Sequence, residues 1–236
     1  MSTCYVIAAY SGQRRVLDYR AKADPLFYIK THLKQLDLLA HDIDLVVLAY
    51  CGPHLLEVAD YIHEVDFDFP LEVMTRQNIG MSYGAYSDVY ERHRMKYDYY
   101  VFVEDDYFPV LDNFDTVLSK YLEDEKCAYI CGLVSDGAPM NVMHAAISNG
   151  MARSSVLEEM FVKDSKLPHY DAKAGQECYG CHEIKGQVAF SNEMVKRGYT
   201  IKDYTNEYSS PFIDAVGNKK QWGRGQAIFM PSQLFV

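Results

Sequence analysis

Three consecutive carboxylates, Glu104-Asp105-Asp106, follow directly on an apolar run, Tyr99-Tyr-Val-Phe-Val103. Like charges this close repel one another. At the end of a central strand they destabilise a fold unless a cation or hydrogen-bond donors balance them. A divalent cation with oxygen ligands is the natural counter-charge. Mg2+ takes one or two protein carboxylates and completes its shell with phosphate oxygens and water. The triplet therefore points to a metal-bound diphosphate, with Mg2+ or Mn2+ as the metal. The competing reading is a solvated acidic turn. The apolar strand before the triplet and Tyr107-Phe108-Pro109 behind it weigh against that reading.

A second candidate is the run from Arg76 to Ala85, which carries Asn78, Gly80, Ser82 and Gly84. Arg76 and Asn78 follow a strand-like segment, so both can project toward one ligand-binding edge. The glycines permit a tight backbone near a ligand. Ser82 is placed to cap the next helix, whose amino end favours an anion. The plain alternative is an ordinary strand-to-helix loop. A third candidate is Ala8-Ala9-Tyr10-Ser11-Gly12, where small residues allow close approach and Tyr10 offers a face for a base. Arg14, Arg15 and Arg20 follow and could attend a phosphate, or simply be exposed on a loop.

The cysteines and histidines support weaker readings. Cys178-Tyr-Gly-Cys181 is a CxxC, and Cys127 and Cys131 form a wider pair, so together they could supply four zinc ligands. Cys127 and Cys131 lie in a strand-like run, however, where buried thiols behave as small hydrophobes. His144, His169 and His182 read as packed or surface residues. Trp222, the only Trp, lies beside basic residues and either covers a ligand or anchors the tail.

The elements that must position these residues alternate along the chain, the mark of an α/β fold. Strands are expected at 4–10, 45–50, 71–75, 99–103, 127–134, 144–150 and 199–201. Helices are expected from Pro25 to about residue 40, at 54–64, 83–95, 112–124, 153–163 and 182–197, the last closed by Gly198. Residues 164–181 read as a polar loop. From about 204 the chain reads as an irregular tail that could be a mobile flap. One domain is expected, with a nucleotide-binding half (1–110) and a variable half (111–236).

Composition narrows the classes. The 236 residues carry 23 Lys+Arg against 33 Asp+Glu, a formal charge of −10. That argues against nucleic acid as partner, whose affinity comes mainly from Lys/Arg on phosphate. The 20 tyrosines suit sugar and base recognition as well as strands. With no basic leader and no apolar run of about 18–20 residues, neither a targeting signal nor a membrane span is expected. The default is a cytoplasmic protein with reduced cysteines.

The order of these pieces resembles the GT-A glycosyltransferases that use nucleotide sugars, of the family 2-like kind. The shared order is a small-residue turn ending in Ser11-Gly12, a second strand, the Arg76-to-Ala85 segment, then a strand ending in an acidic triplet. Ser148-Asn-Gly-Met-Ala-Arg-Ser-Ser-Val-Leu157 is similar to the segment that shapes the family's acceptor side. Gly186-Gln-Val-Ala-Phe-Ser191 followed by Lys196-Arg-Gly-Tyr-Thr-Ile201 is similar to its EDVxLS…GYxI segment. The resemblance covers about residues 4–203.

It implies a Rossmann-like, mostly parallel sheet flanked by helices. The triplet stands at the family's DxD motif, so Asp106 would ligate the metal and Glu104 would contact it or the donor ribose, with Asp105 beside them. Ala9, Tyr10, Ser11, Arg15, Arg76, Asn78 and Gly84 would line the site of a nucleotide-sugar donor, most often UDP-linked. The acceptor would be a glycan or glycoconjugate.

The family's ED pair reads Gly186 and Gln187 here. Glu183 or Asp136 could instead serve as the catalytic base, or a retaining enzyme could do without one. A sugar nucleotidyltransferase and a catalytically inactive sugar- or nucleotide-binding protein remain the alternatives.

Overall fold

The computed structural model describes residues 1–12, 19–137, 140–171, 179–213, 217–223 and 225–234. Its centre is a seven-stranded sheet in the order β3-β2-β1-β4-β7-β6-β8. The strands are β1 (Thr3–Tyr10), β2 (Leu45–Cys51), β3 (Leu71–Thr75), β4 (Tyr99–Glu104), β6 (Cys127–Ser135), β7 (His144–Arg153) and β8 (Thr200–Asp203). β1 pairs in parallel with both β2 and β4, and β2 with β3. β7 alone runs against its neighbours β4 and β6, and β6 is parallel to β8. Both halves of the chain contribute to this one sheet.

Each central strand is buried on both faces, which explains its continuous apolar run. Successive side chains alternate between two cores. Cys4, Val6, Tyr100 and Phe102 pack on one side with helices α4 (Met81–Arg92), α6 (Ser154–Asp164) and α8 (Ala189–Lys196). Tyr5, Ile7, Val101 and Val103 pack on the other with α2 (Phe27–Asp37) and α5 (Phe114–Tyr121). Burying each such side chain stabilises the fold by roughly 1.5–3 kcal/mol. α2 presents Ile29, His32, Leu33 and Leu36 inward at helical spacing. α3 (Leu55–Glu64) lies where a helix is expected and packs lightly: only Val58 is buried, and Leu55 and Leu56 are exposed.

The remaining helices are α1 (Tyr19–Ala23) and α7 (Tyr179–His182), and a π-helical turn, Glu183–Val188, joins α7 to α8. Gly198 closes α8 with φ +88°, the expected left-handed end.

The tail corrects the expectation of an irregular flap. It forms β9 (Ser210–Ile213), β10 (Lys219–Trp222) and β11 (Phe229–Pro231). β11 pairs antiparallel with β5 (Tyr107–Pro109), the strand that follows the acidic triplet. Ile228 and Phe229 are buried in the core, so apolar side chains spaced too irregularly to predict a strand anchor the chain's end. The cysteines correct a second expectation. Cys4, Cys51, Cys127 and Cys131 are free thiols, but Cys181 is disulfide-bonded. Cys178 and Arg15 lie outside the described residues, as does the side chain of Trp222.

Candidate functional site

β1 leads to β2 and β3 on one side, and the chain then returns to place β4 on β1's other side. Such a reversal opens a crevice at the carboxyl ends of the two strands, where open α/β sheets bind ligands. Here the crevice lies between Tyr10-Ser11 and the acidic triplet, with Ala8 opposite Glu104 in the register.

The triplet does not project three carboxylates together. Asp105 is buried and turned back onto β1: its N–H donates to the Ala8 carbonyl at 3.1 Å, and its Oδ2 accepts the Tyr10 N–H at 2.9 Å. Glu104 and Asp106 flank it, both half-buried. Behind the turn, His32 is wholly buried. Its Nδ1 lies 3.3 Å from the Asp105 carbonyl oxygen, and its Nε2 lies 2.8 Å from the Tyr5 hydroxyl. A carbonyl can only accept, so Nδ1 carries the proton and Nε2 accepts from Tyr5. On the far side the Ser232 N–H donates to the Asp106 carbonyl at 2.7 Å, and Arg20 donates to the Ser232 carbonyl at 2.6 Å.

These residues fit a hard divalent cation. Two oxygen donors, Glu104 and Asp106, flank an inward Asp105, which suits an ion that takes one or two carboxylates and fills its shell from phosphate. Among the described residues no three His, Cys, Asp or Glu side chains form a cluster able to hold a metal on their own.

The loop after β3 is built by its own residues. The Arg76 side chain is nearly buried. Its Nε donates to Asp88 at 2.7 Å, and its other nitrogens donate to the Ile79 carbonyl and, at 3.4 Å, to that of Met81. A Cβ at Gly84 would lie 1.9 Å from the Ile79 oxygen and 2.7 Å from Arg76 Nη2, so only glycine lets this loop close on α4. Arg76 and Gly84 thus shape the loop. Asn78, half-buried, makes no hydrogen bond among the described residues. The expected Ser82 cap is absent: Gly80, at φ +72°, precedes the helix, and the Ser82 hydroxyl is buried without a partner among the described residues. Ala9 is buried within β1. Ser11 Oγ lies 2.6 Å from the Tyr50 hydroxyl, which accepts the His54 N–H at 2.8 Å, so Ser11 secures the turn after β1.

One of the two candidates for the catalytic base reaches the same sheet edge. β6 runs parallel to β4, so Asp136, exposed just beyond β6, lies at the carboxyl edge that carries the triplet. Glu183 opens the π-helical turn, half-buried and without an ion pair or hydrogen bond among the described residues. The turn is docked on β7. Gln187 Nε2 donates to the carbonyls of Ala145 and Ala146, each at 2.9 Å, and Ser191 Oγ accepts the Ala145 N–H at 2.8 Å. π-turns of this kind are frequent at functional sites. His144, His169 and His182 are packed. Burial pushes His182 down to about 4, with the charge of His169 adding to the shift.

Sequence reasoning missed Tyr5, His32, Tyr83, Tyr86 and Ser232. The Tyr83 and Tyr86 rings meet edge to face at 5.3 Å, and the Tyr86 hydroxyl is buried without a hydrogen-bond partner among the described residues. Burial raises both phenols well above their ordinary range, and the negative charge of Glu104 adds to it. A signal existed for His32: it is the polar member of an apolar helical stripe with Ile29, Leu33 and Leu36. Ser232 carried none, since its role depends on a strand pairing distant in sequence.

No protein-family model matches the chain, and no curated protein matches it by sequence. Solved structures do match its fold. One is S. aureus TarS, a GT-A-like glycosyltransferase, at 11% identity and TM-score 0.50, over 88% of this chain and 36% of that one. The chain thus spans about a third of TarS. Another is 4-diphosphocytidyl-2C-methyl-D-erythritol synthase from Anaerococcus prevotii, at 8% identity and TM-score 0.50, over 86% of each chain. The fold is of the GT-A type. In this GT-A-type fold the acidic turn occupies the crevice at the switch of strand order. Among the described residues no helix is long and apolar enough to cross a membrane.

Proposed function

We propose that this protein is a metal-dependent glycosyltransferase that moves a sugar from a UDP-linked donor to a glycan or glycoconjugate. One observation carries the reading: Glu104 and Asp106 flank a buried, hydrogen-bonded Asp105 at the switch point between β1 and β4. A bound Mn2+ or Mg2+ would supply Lewis-acid stabilisation of the departing diphosphate, worth several kcal/mol. Glu104 and Asp106 would hold it. Tyr10 and Ser11, at the end of β1, would receive the nucleotide, with Arg15 and Asn78 near the donor. Asp136 or Glu183 would take the proton from the acceptor hydroxyl. Gln187 is an amide, without a basic atom to serve as that base, and its Nε2 is committed to two β7 carbonyls. The four free thiols suit a cytoplasmic setting, and the Cys181 disulfide is the exception to it.

The likeness to the synthase, which spans most of both chains, favours a second reading as a sugar nucleotidyltransferase. Thermal unfolding with UDP, with Mn2+ and with both, on wild type and Asp106→Ala, tests the shared site. Ligand at about 100 Kd stabilises by about 2.7 kcal/mol. The proposal expects a shift that needs both ligands and vanishes in Asp106→Ala. No shift with any nucleotide overturns it. Release of pyrophosphate from a nucleoside triphosphate and sugar phosphate would favour the second reading, and binding without turnover would indicate an inactive binding protein.

A further inference from the structure

The acidic turn is held from behind by a residue that cannot itself touch a ligand. His32 comes from α2, is wholly buried, and uses both ring nitrogens: Nε2 toward Tyr5 on β1, Nδ1 toward the Asp105 carbonyl. Its ring packs edge-on against Tyr5 at 5.7 Å and against Phe108 at 5.8 Å, and Tyr5 in turn packs on Phe114 at 5.6 Å. The imidazole therefore has little room to rotate. A buried apolar residue would fill the same space at lower desolvation cost. What it would not supply is a donor for the Asp105 carbonyl. That carbonyl belongs to the peptide unit joining Asp105 to Asp106, so whatever orients it orients both carboxylates.

We propose that His32, seated by Tyr5, is a positioning residue that sets the Asp105–Asp106 peptide plane, holding Asp105 against the Tyr10 amide and directing Asp106 into the crevice. In chemical terms it is the neutral, doubly hydrogen-bonded partner of a carboxylate turn, of the kind that tunes a cation site from outside the ligand shell. The role toward a cation rests on the metal–diphosphate reading of the site. The role toward Asp105 does not.

The test uses the full chain as wild type, His32→Leu, His32→Asn and Tyr5→Phe. Asn keeps an N–H donor near the position of Nδ1, and Leu removes it. Two readouts are taken on each: hydrogen exchange of the Tyr10 amide, and Mn2+ affinity measured with saturating UDP. His32→Leu is expected to speed Tyr10 exchange at least about tenfold relative to the β2 amides and to weaken Mn2+ by about 10–100-fold. His32→Asn is expected to restore both, with Tyr5→Phe intermediate. If Leu leaves Tyr10 exchange unchanged relative to β2, or if Asn behaves as Leu does, the positioning role is overturned. If wild type binds no Mn2+ with UDP, the functional reading falls, and Tyr10 exchange still decides the role of His32. If His32→Leu does not fold, Tyr5→Phe decides it: Tyr10 exchange faster than in wild type and in His32→Asn supports the role, and equal exchange in all three overturns it.

Discussion

The main-chain N–H of Ser232 donates to the carbonyl of Asp106 at 2.7 Å, which joins the last strand of the chain to the acidic turn at its centre. β11 and β5 extend this contact into a short ladder, in which Phe229 faces Pro109 and Pro231 faces Tyr107. The carboxyl-terminal segment is therefore part of the wall behind the candidate site.

An anchored tail makes a prediction that a flap would not. Phe229 is 2% exposed, and its ring packs at 5.7 Å on Phe114. Phe229→Ala should cost about 3–5 kcal/mol of stability, the usual range for an emptied aromatic core site. Urea denaturation measures this directly. A loss below about 1 kcal/mol would show that the segment is not packed as described.

The loop after β3 should tolerate no side chain at Gly84. A methyl group there would meet the Ile79 carbonyl and the Arg76 guanidinium, both already engaged with each other. Gly84→Ala is expected to destabilise by about 1–3 kcal/mol or more through overpacking. Gly180→Ala is the control, because nothing among the described residues lies within 4 Å of its added carbon. That change should be neutral or slightly stabilising, by about 0.4–1 kcal/mol. Equal melting temperatures for the two variants would contradict the tight loop.

Tyr86 buries a hydroxyl that finds no partner among the described residues. A buried, unpaired polar group costs roughly 1–3 kcal/mol. Tyr86→Phe should therefore raise stability by about 1 kcal/mol. A fall in melting temperature would mean the hydroxyl is hydrogen-bonded in solution.

Stability should also fall on mild acidification. Burial pushes His32 and His182 down to about 4 from the ordinary 6.5, and the charge of His169 adds to the shift at His182. His32 faces Tyr5 and the Asp105 carbonyl, and His182 faces Tyr83. Both groups stay neutral in the fold while the unfolded chain takes up protons. Their contribution is complete above about pH 6.5 and is lost as pH drops toward 4. The loss is on the order of 3 kcal/mol for His32 and less for the partly buried His182. Denaturant titrations at pH 7 and pH 5 should show the fall, and His32→Asn should flatten it. An unchanged slope in that variant would remove His32 as its source.

Much of this molecule was legible from local pattern. The apolar runs of β1, β2 and β4 and the helical stripe of α2 follow from side-chain periodicity, a property of a few consecutive residues. The acidic triplet declared a charge problem that any fold must solve, and its place after an apolar strand put it at a ligand edge. Other features depended on partners far away in sequence. Arg76 reads as a ligand-facing cation until Asp88 and the Ile79 carbonyl are seen to take it up. Asp105 reads as one of three equal carboxylates until the Tyr10 amide draws it inward. Neither the antiparallel entry of β7 nor the pairing of β11 with β5 leaves a local mark, because either strand would show the same alternation in any register or direction. Sequence alone thus determined which residue types stand at the crevice. The tertiary structure decided which of them face it, because a hydrogen bond formed across the fold fixes where a side chain points and local propensity does not.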